Sequence, residues 1–135
     1  MKAIADTGFI VAFGSRGDSH HAWAVDIAKN ITEPLLTCEA VLAEAAFHLG
    51  SSSYVLSLLQ NDMFRLGFDL TRNLEQLAEL AKRYDDRRPD LADLCIIRQQ
   101  LESAKGEKGN QRFLRLAGKI NGPPDLSSRK GFSRK

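Results

Sequence analysis

Short apolar runs alternate with amphipathic stretches along the first hundred residues. Lys2–Ala5 is an apolar run that stops at Asp6-Thr7-Gly8, which predicts a buried strand with a polar trio at its carboxyl end. Phe9–Phe13 follows as a short helix or turn. Asp18 and Ser19 are helix-start residues for His20–Asn30, where Trp23, Ile27 and Ile31 share a face. Pro34-Leu35-Leu36 reads as a very short strand, after which Thr37 opens a helix through Leu49 that Gly50 ends. Ser51–Ser53 cap a helix over Tyr54–Asn61, and Phe64–Leu70 reads as a strand. The clearest helix is Arg72–Tyr84, with Leu74, Leu77, Ala78 and Ala81 at i, i+3, i+4 and i+7. A polar turn, Asp85–Arg88, leads to Pro89 and Asp90, which start a last helix ending near Leu101. Strands alternating with helices predict an α/β fold, a mainly parallel central sheet flanked by helices. Ligands of such folds gather at the carboxyl ends of the strands, where Asp6 stands.

From Ser103 onward the periodicity weakens, leaving one or two amphipathic turns over Arg112–Ile120. Charge changes at the same place. Residues 1–102 hold ten Lys or Arg against fifteen Asp or Glu, and residues 103–135 hold nine against two, so the formal net charge of +2 averages a −5 body and a +7 tail. We therefore expect one domain over 1–102 and a basic, poorly patterned tail over 103–135 that is disordered or non-native. A uniform nucleic-acid coat and a coiled coil are excluded. Cys38 and Cys95 have no metal-ligand spacing, which rules out a disulfide-dense scaffold and a zinc ribbon. No apolar run reaches the roughly 18 residues of a membrane span, and no signal-peptide cleavage site follows the N-terminal run, so the expected location is the cytoplasm. The adjacent His20 and His21 point about 100° apart on a helix and form no zinc pair. Nucleophile-elbow and phosphate-loop motifs are absent from the sequence.

Three acids stand where surface acids seldom do. Glu44 lies inside Val41-Leu42-Ala43-Glu44-Ala45-Ala46-Phe47, with apolar residues three positions to either side. A charge aimed at a core costs several kcal/mol unless it is paired or metal-bound, so either Glu44 has a partner or the helix is turned to release it between Ala43 and Ala45. Asp6 is a strand-end acid or the cap of a helix beginning at Thr7. Asp90 and Asp93 flank Leu91-Ala92 after Pro89 in a pattern that also suits helix capping. Together the three positions offer hard oxygen donors, the kind that Mg2+ or Mn2+ takes, and such sites serve phosphodiester hydrolysis. A strand-end Asp would also suit an aspartyl-phosphate enzyme, but Gly8 stands where such an enzyme carries a second Asp.

In this order and context the acids resemble the PIN-domain nucleases, in particular VapC-type toxins of bacterial toxin–antitoxin pairs. The resemblance spans roughly residues 2–101. Its blocks are Ala3-Ile4-Ala5-Asp6-Thr7-Gly8-Phe9-Ile10-Val11-Ala12-Phe13, Leu35-Leu36-Thr37-Cys38-Glu39-Ala40-Val41-Leu42-Ala43-Glu44 and Pro89-Asp90-Leu91-Ala92-Asp93. It implies a PIN-like three-layer fold and a Mg2+-dependent endoribonuclease, with Mn2+ as the alternative ion. Asp6, Glu44 and Asp93 would be catalytic metal ligands, Asp90 an auxiliary acid, and Thr7 a hydrogen-bonding partner of the cluster. Glu39 is instead a solvent-facing helix-start acid. The implied partners are RNA, a small antitoxin whose tail fills the cleft, and a second copy in a homodimer. Arg83, Arg87 and Arg88, beside Lys82, are either a solvated helix end or contacts to the RNA backbone.

The chain also departs from that family. Members follow the last helix with a further strand ending in a Thr/Ser-x-Asp-x-x-Phe segment, and nothing after Leu101 matches it. The expectation is a last strand that is missing or altered, from a reading frame lost near residues 98–105, with a natural divergent end as the rival. A catalytically inactive remnant that only binds antitoxin or another partner is the alternative function. If the frame was lost, the nucleotide sequence past Leu101 encodes a strand and a Thr-x-Asp segment in another frame; three frames without one refute the loss.

Overall fold

A computed structural model describes residues 3–106 and 114–116. Four strands of three residues, β1 (Ala3–Ala5), β2 (Leu35–Thr37), β3 (Phe64–Leu66) and β4 (Leu114–Leu116), make one sheet in the order β3-β2-β1-β4. Every pairing is parallel, with Ile4 opposite Leu36 on one side and Arg115 on the other. Six helices flank it among the described residues: α1 (Thr7–Gly14), α2 (His21–Lys29), α3 (Glu39–Leu49), α4 (Ser52–Gln60), α5 (Leu74–Arg83) and α6 (Leu91–Gly106). The expected α/β architecture with a parallel sheet is what the chain adopts.

All three residues of β1 are buried, as a strand must be when helices cover both faces of a parallel sheet. The core grows from it. Phe9, fully buried on α1, stacks on Phe13 at 6.3 Å between ring centroids and meets Trp23 and Phe64 edge-on at 5.7 and 6.5 Å. α1 packs against α2 and α3, α3 against α4 and α6, and α5 against α6. Local chemistry sets the helix ends. The Ser51 hydroxyl accepts the Tyr54 amide at 3.0 Å to cap α4, and Gly50 closes α3 at φ 69°, a left-handed turn that suits glycine.

Several boundaries move from their expected places. Thr37 does not open α3. It ends β2, because its hydroxyl is taken by the Ala5 carbonyl at 3.0 Å, and Cys38 stands at the helix cap instead. β3 stops at Leu66 rather than running to Leu70, and a 3-10 turn over Thr71–Asn73 precedes α5. α5 itself is rotated from the expected stripe. Leu77 and Leu80 are buried with Asn73, while Leu74 is 54% exposed and Ala78 faces out. α2 buries Ala24 rather than Trp23, which is 38% exposed.

Of the two expectations for the last strand, missing or altered, the structure rules out the first. Leu114-Arg115-Leu116 forms β4 beside β1, in a segment expected to be at most helical. Apolar-polar-apolar alternation fits a strand, while Phe113, Leu116 and Ile120 also fit helical spacing, so periodicity alone does not separate the two. α6 runs on to Gly106, past the expected end near Leu101. Lys2 and the rest of the 103–135 tail lie outside the described residues.

Because Phe9 joins three aromatic neighbours at the centre of the core, Phe9→Ala is expected to cost about 3–5 kcal/mol. Urea unfolding of the variant against the parent chain measures this; a loss under about 1 kcal/mol would contradict the packing described.

Candidate functional site

Chain order places β2 and β3 on one side of β1 and β4 on the other. The strand order therefore reverses at β1, and the crevice beyond its carboxyl end is where open α/β sheets hold their ligands. Asp6 is the first residue past that end. It is 4% exposed and caps α1, its Oδ1 accepting the Thr7 amide at 2.7 Å. Capping and a place in the crevice, alternatives in the sequence, are the same position here. The Asp6 carbonyl receives the Phe9 and Ile10 amides at 3.1 and 3.2 Å, so α1 begins directly from the strand.

Glu44 arrives from α3, which packs on α1. It is half-buried, and the buried Thr7 hydroxyl donates to its Oε1 at 2.7 Å. The helix is thus not turned to free Glu44 between its alanines; Ala43 takes the solvent and Glu44 finds a partner. Glu39, by contrast, is exposed in the first turn of α3, as expected.

Asp93 is 5% exposed in the first turn of α6. Asp90 holds that turn, with its Oδ1 accepting the Asp93 amide at 2.8 Å and its carbonyl accepting the Leu94 amide at 3.2 Å. The approach to this helix is strained, for Arg88 sits in the left-handed region at φ 47° just before Pro89. Of the basic residues flanking this block, Arg83 and Arg88 are exposed and Arg87 lies over the Tyr84 ring at 5.8 Å.

The donor set is carboxylate oxygen, which suits Mg2+ or Mn2+ in kind. In arrangement it stops short of a formed shell. Among the described residues, no three Asp, Glu, His or Cys side chains gather closely enough to hold one ion. His21 is engaged elsewhere, its Nδ1 2.9 Å from the Ala12 carbonyl, and His20 lies 3.7 Å from Asp18. A cavity of about 570 Å3 lined by Phe13, Ile31, Pro34, Leu58, Met63 and Arg65 opens at the amino-terminal ends of β2 and β3, the wrong end of the sheet for the acids.

Two buried polar residues near the site carry no functional assignment from the sequence: Gln99, which it does not single out, and Thr37, which it takes only as a helix start. Gln99, on α6, is 1% exposed and its Nε2 donates to the Thr37 carbonyl at 3.2 Å, which also accepts the Gly67 amide at 3.1 Å. The available signal was a polar residue in the stripe Ala92, Cys95, Ile96 and Gln99, the same kind of signal that marks Glu44. Beside this pair lie the two free thiols, both buried. The hydrogen bond that the Cys38 thiol donates to Cys95, with burial, pushes Cys38 far above the ordinary thiol range, and the same bond lowers Cys95. Because both thiols are buried, neither cysteine of the native protein is expected to react with iodoacetamide at neutral pH over minutes, whereas both react in guanidinium. Intact mass spectrometry reads the outcome, and rapid native labelling of Cys38 would contradict the buried pair.

Comparison with known proteins agrees with this architecture. The structure is similar to the crystal structure of Mycobacterium tuberculosis VapC20, described as a sarcin–ricin loop cleaving toxin. The match has a TM-score of 0.71 and 19% sequence identity and covers 94% of each chain, a likeness of fold. No curated protein matches the chain. The PIN-domain family profile matches residues 3–104, from the first residue of β1 nearly to the end of α6 and across all three acid blocks. With most of its length and all three acid-bearing segments inside that match, the chain belongs to the PIN-domain family.

Proposed function

We propose that this chain is a Mg2+-dependent endoribonuclease, the toxic component of a toxin–antitoxin pair, with Asp6, Glu44 and Asp93 holding the ion and Mn2+ as an alternative. The observation that carries the reading is the 2.7 Å bond from Thr7 to Glu44, which ties the acid of α3 to the residue next to the strand-end Asp6. Bound there, the ion would lower the pKa of a coordinated water and offset charge developing on the phosphate. The chain's own residues do the positioning. Thr7 takes one Glu44 oxygen and fixes the carboxylate's direction, and Asp90 spends one oxygen on the first turn of α6, so that Asp93 is presented from a defined helix start. Asp90 is in this reading an auxiliary acid that acts through Asp93.

Arg83, Arg87 and Arg88 lie on the segment leading into the Asp93 block and would contact the phosphate backbone of the RNA. VapC20 is described as cleaving the sarcin–ricin loop; for this chain the proposal extends to RNA as a class. A small antitoxin covering the acids and a second copy of the chain complete the proposed partners, and the proposed location is the cytoplasm. No helix among the described residues is long and apolar enough to cross a membrane. We retain residues 1–102 as the catalytic domain and 103–135 as a basic tail, with residues 114–116 lending their backbone to the sheet.

One observation favours a second reading. Because no three ligating side chains gather on one point among the described residues, the chain could be a PIN-fold protein that binds its antitoxin without cleaving RNA. Incubation of the purified chain with RNA separates the two. The nuclease reading expects cleavage with Mg2+, its loss in EDTA, and a fall of more than about 100-fold in Asp6→Asn, beyond the usual effect of losing an outer-shell partner. Metal-independent cleavage unaffected by Asp6→Asn refutes the assignment, and antitoxin binding without any cleavage supports the second reading.

A further inference from the structure

We infer that Thr37 and Gln99 form a buried polar strut that sets the spacing of the three acid-bearing elements, making both of them positioning residues for the proposed cleavage. The inference deepens the nuclease reading and rests on it.

The strut is a continuous run of hydrogen bonds through the sheet. The Thr37 hydroxyl donates to the carbonyl of Ala5, the residue before Asp6, at 3.0 Å. The Thr37 carbonyl receives the Gln99 amide at 3.2 Å. The run therefore ties together the elements that carry the three acids. Ala5 precedes Asp6, Thr37 lies two residues before the start of α3 and hence of Glu44's helix, and Gln99 lies six residues beyond Asp93 on α6, about 9 Å along a helix axis.

Burial makes the bonds binding rather than incidental. Thr37 is fully buried and Gln99 is 1% exposed, so neither group finds water if its partner moves. Space is kept for the amide: a Cβ on Gly67 would lie 3.2 Å from Gln99 Nε2 and 3.1 Å from Leu36 Cδ2. The decisive detail is the other end of the same side chain. Gln99 Oε1 is buried with no hydrogen-bond partner among the described residues. A residue serving packing alone would do better as Leu or Met, which bury no orphaned carbonyl. The amide makes sense if the direction of its donor matters more than the stability lost at its acceptor.

Steady-state cleavage of a fluorophore–quencher RNA oligonucleotide by the full chain, thermal melting, and Mn2+ calorimetry together test this. Gln99→Met is expected to melt at or above the parent temperature, and Thr37→Val below it but still folded, since it leaves the Ala5 carbonyl without that donor. Both are expected to lose roughly 10-fold in kcat at unchanged KM and to bind Mn2+ more weakly by a similar factor, the range in which outer-shell partners act. Thr37→Ser, which keeps the donor, recovers most of what Thr37→Val loses. The inference is overturned if Asp6→Asn is inactive while Gln99→Met retains the parent kcat and Mn2+ affinity; should Gln99→Met fail to fold, equal kcat in Thr37→Val and Thr37→Ser overturns it. A parent chain that neither cleaves RNA nor binds Mn2+ instead removes the nuclease reading and, with it, the strut's role.

Discussion

A strand buried on both faces has no place for charge along its length, and β1 is such a strand. Its three residues offer only Ala, Ile and Ala to the layers above and below. The first polar group can appear only where the strand ends, and there Asp6 immediately starts a helix. The single Asp6–Thr7 bond thus joins two constraints, the need to end the buried strand and the need to cap α1. Everything else in the crevice is placed relative to it. α3 packs on α1 and brings Glu44 to Thr7, and the sheet order turns around at the same strand.

Magnitudes explain why these acids are held so closely. Burying an ionised carboxylate costs several kcal/mol even after the protein relaxes. A hydrogen bond to a charged group returns about 1.5–3 kcal/mol, and a helix amino terminus up to about 2 more. For Asp6 these are compensations of the right size, and Asp93, almost as buried, also stands in a helix's first turn. Glu44 is less buried and receives a hydroxyl rather than a helix end. Asp6 and Glu44 are thus supported separately, one by a backbone amide and the other by a hydroxyl.

Much of this was legible because charge in an apolar context is a loud signal. Asp6 after Ala-Ile-Ala and Glu44 among alanines stand out in any periodicity, and their helices and strands follow with small shifts. What stayed hidden has physical reasons. Thr37 carries a good helix-start side chain, but a carbonyl on another strand claims its hydroxyl, and only the folded sheet supplies that competitor. Gln99 bears the same mark as Glu44, a polar group in a buried stripe, yet an uncharged amide demands less and so draws less notice. The face of α5 was misjudged because Leu74 fits the helical period as well as Leu80 does, and burial chose between them. β4 is three residues long, too short for alternation to be told from helical spacing.

The shortness of β4 has a consequence for how the chain meets other chains. Its three residues run beside β1 along Ala3, Ile4 and Ala5, from Leu114 to Leu116. Without that ladder, the amides and carbonyls on one side of β1, a strand of apolar residues alone, would face outward. Such an edge recruits any extended segment within reach, including one from a neighbouring copy. A segment with little periodicity of its own therefore works as a stopper, keeping the strand that presents Asp6 from becoming a template for aggregation.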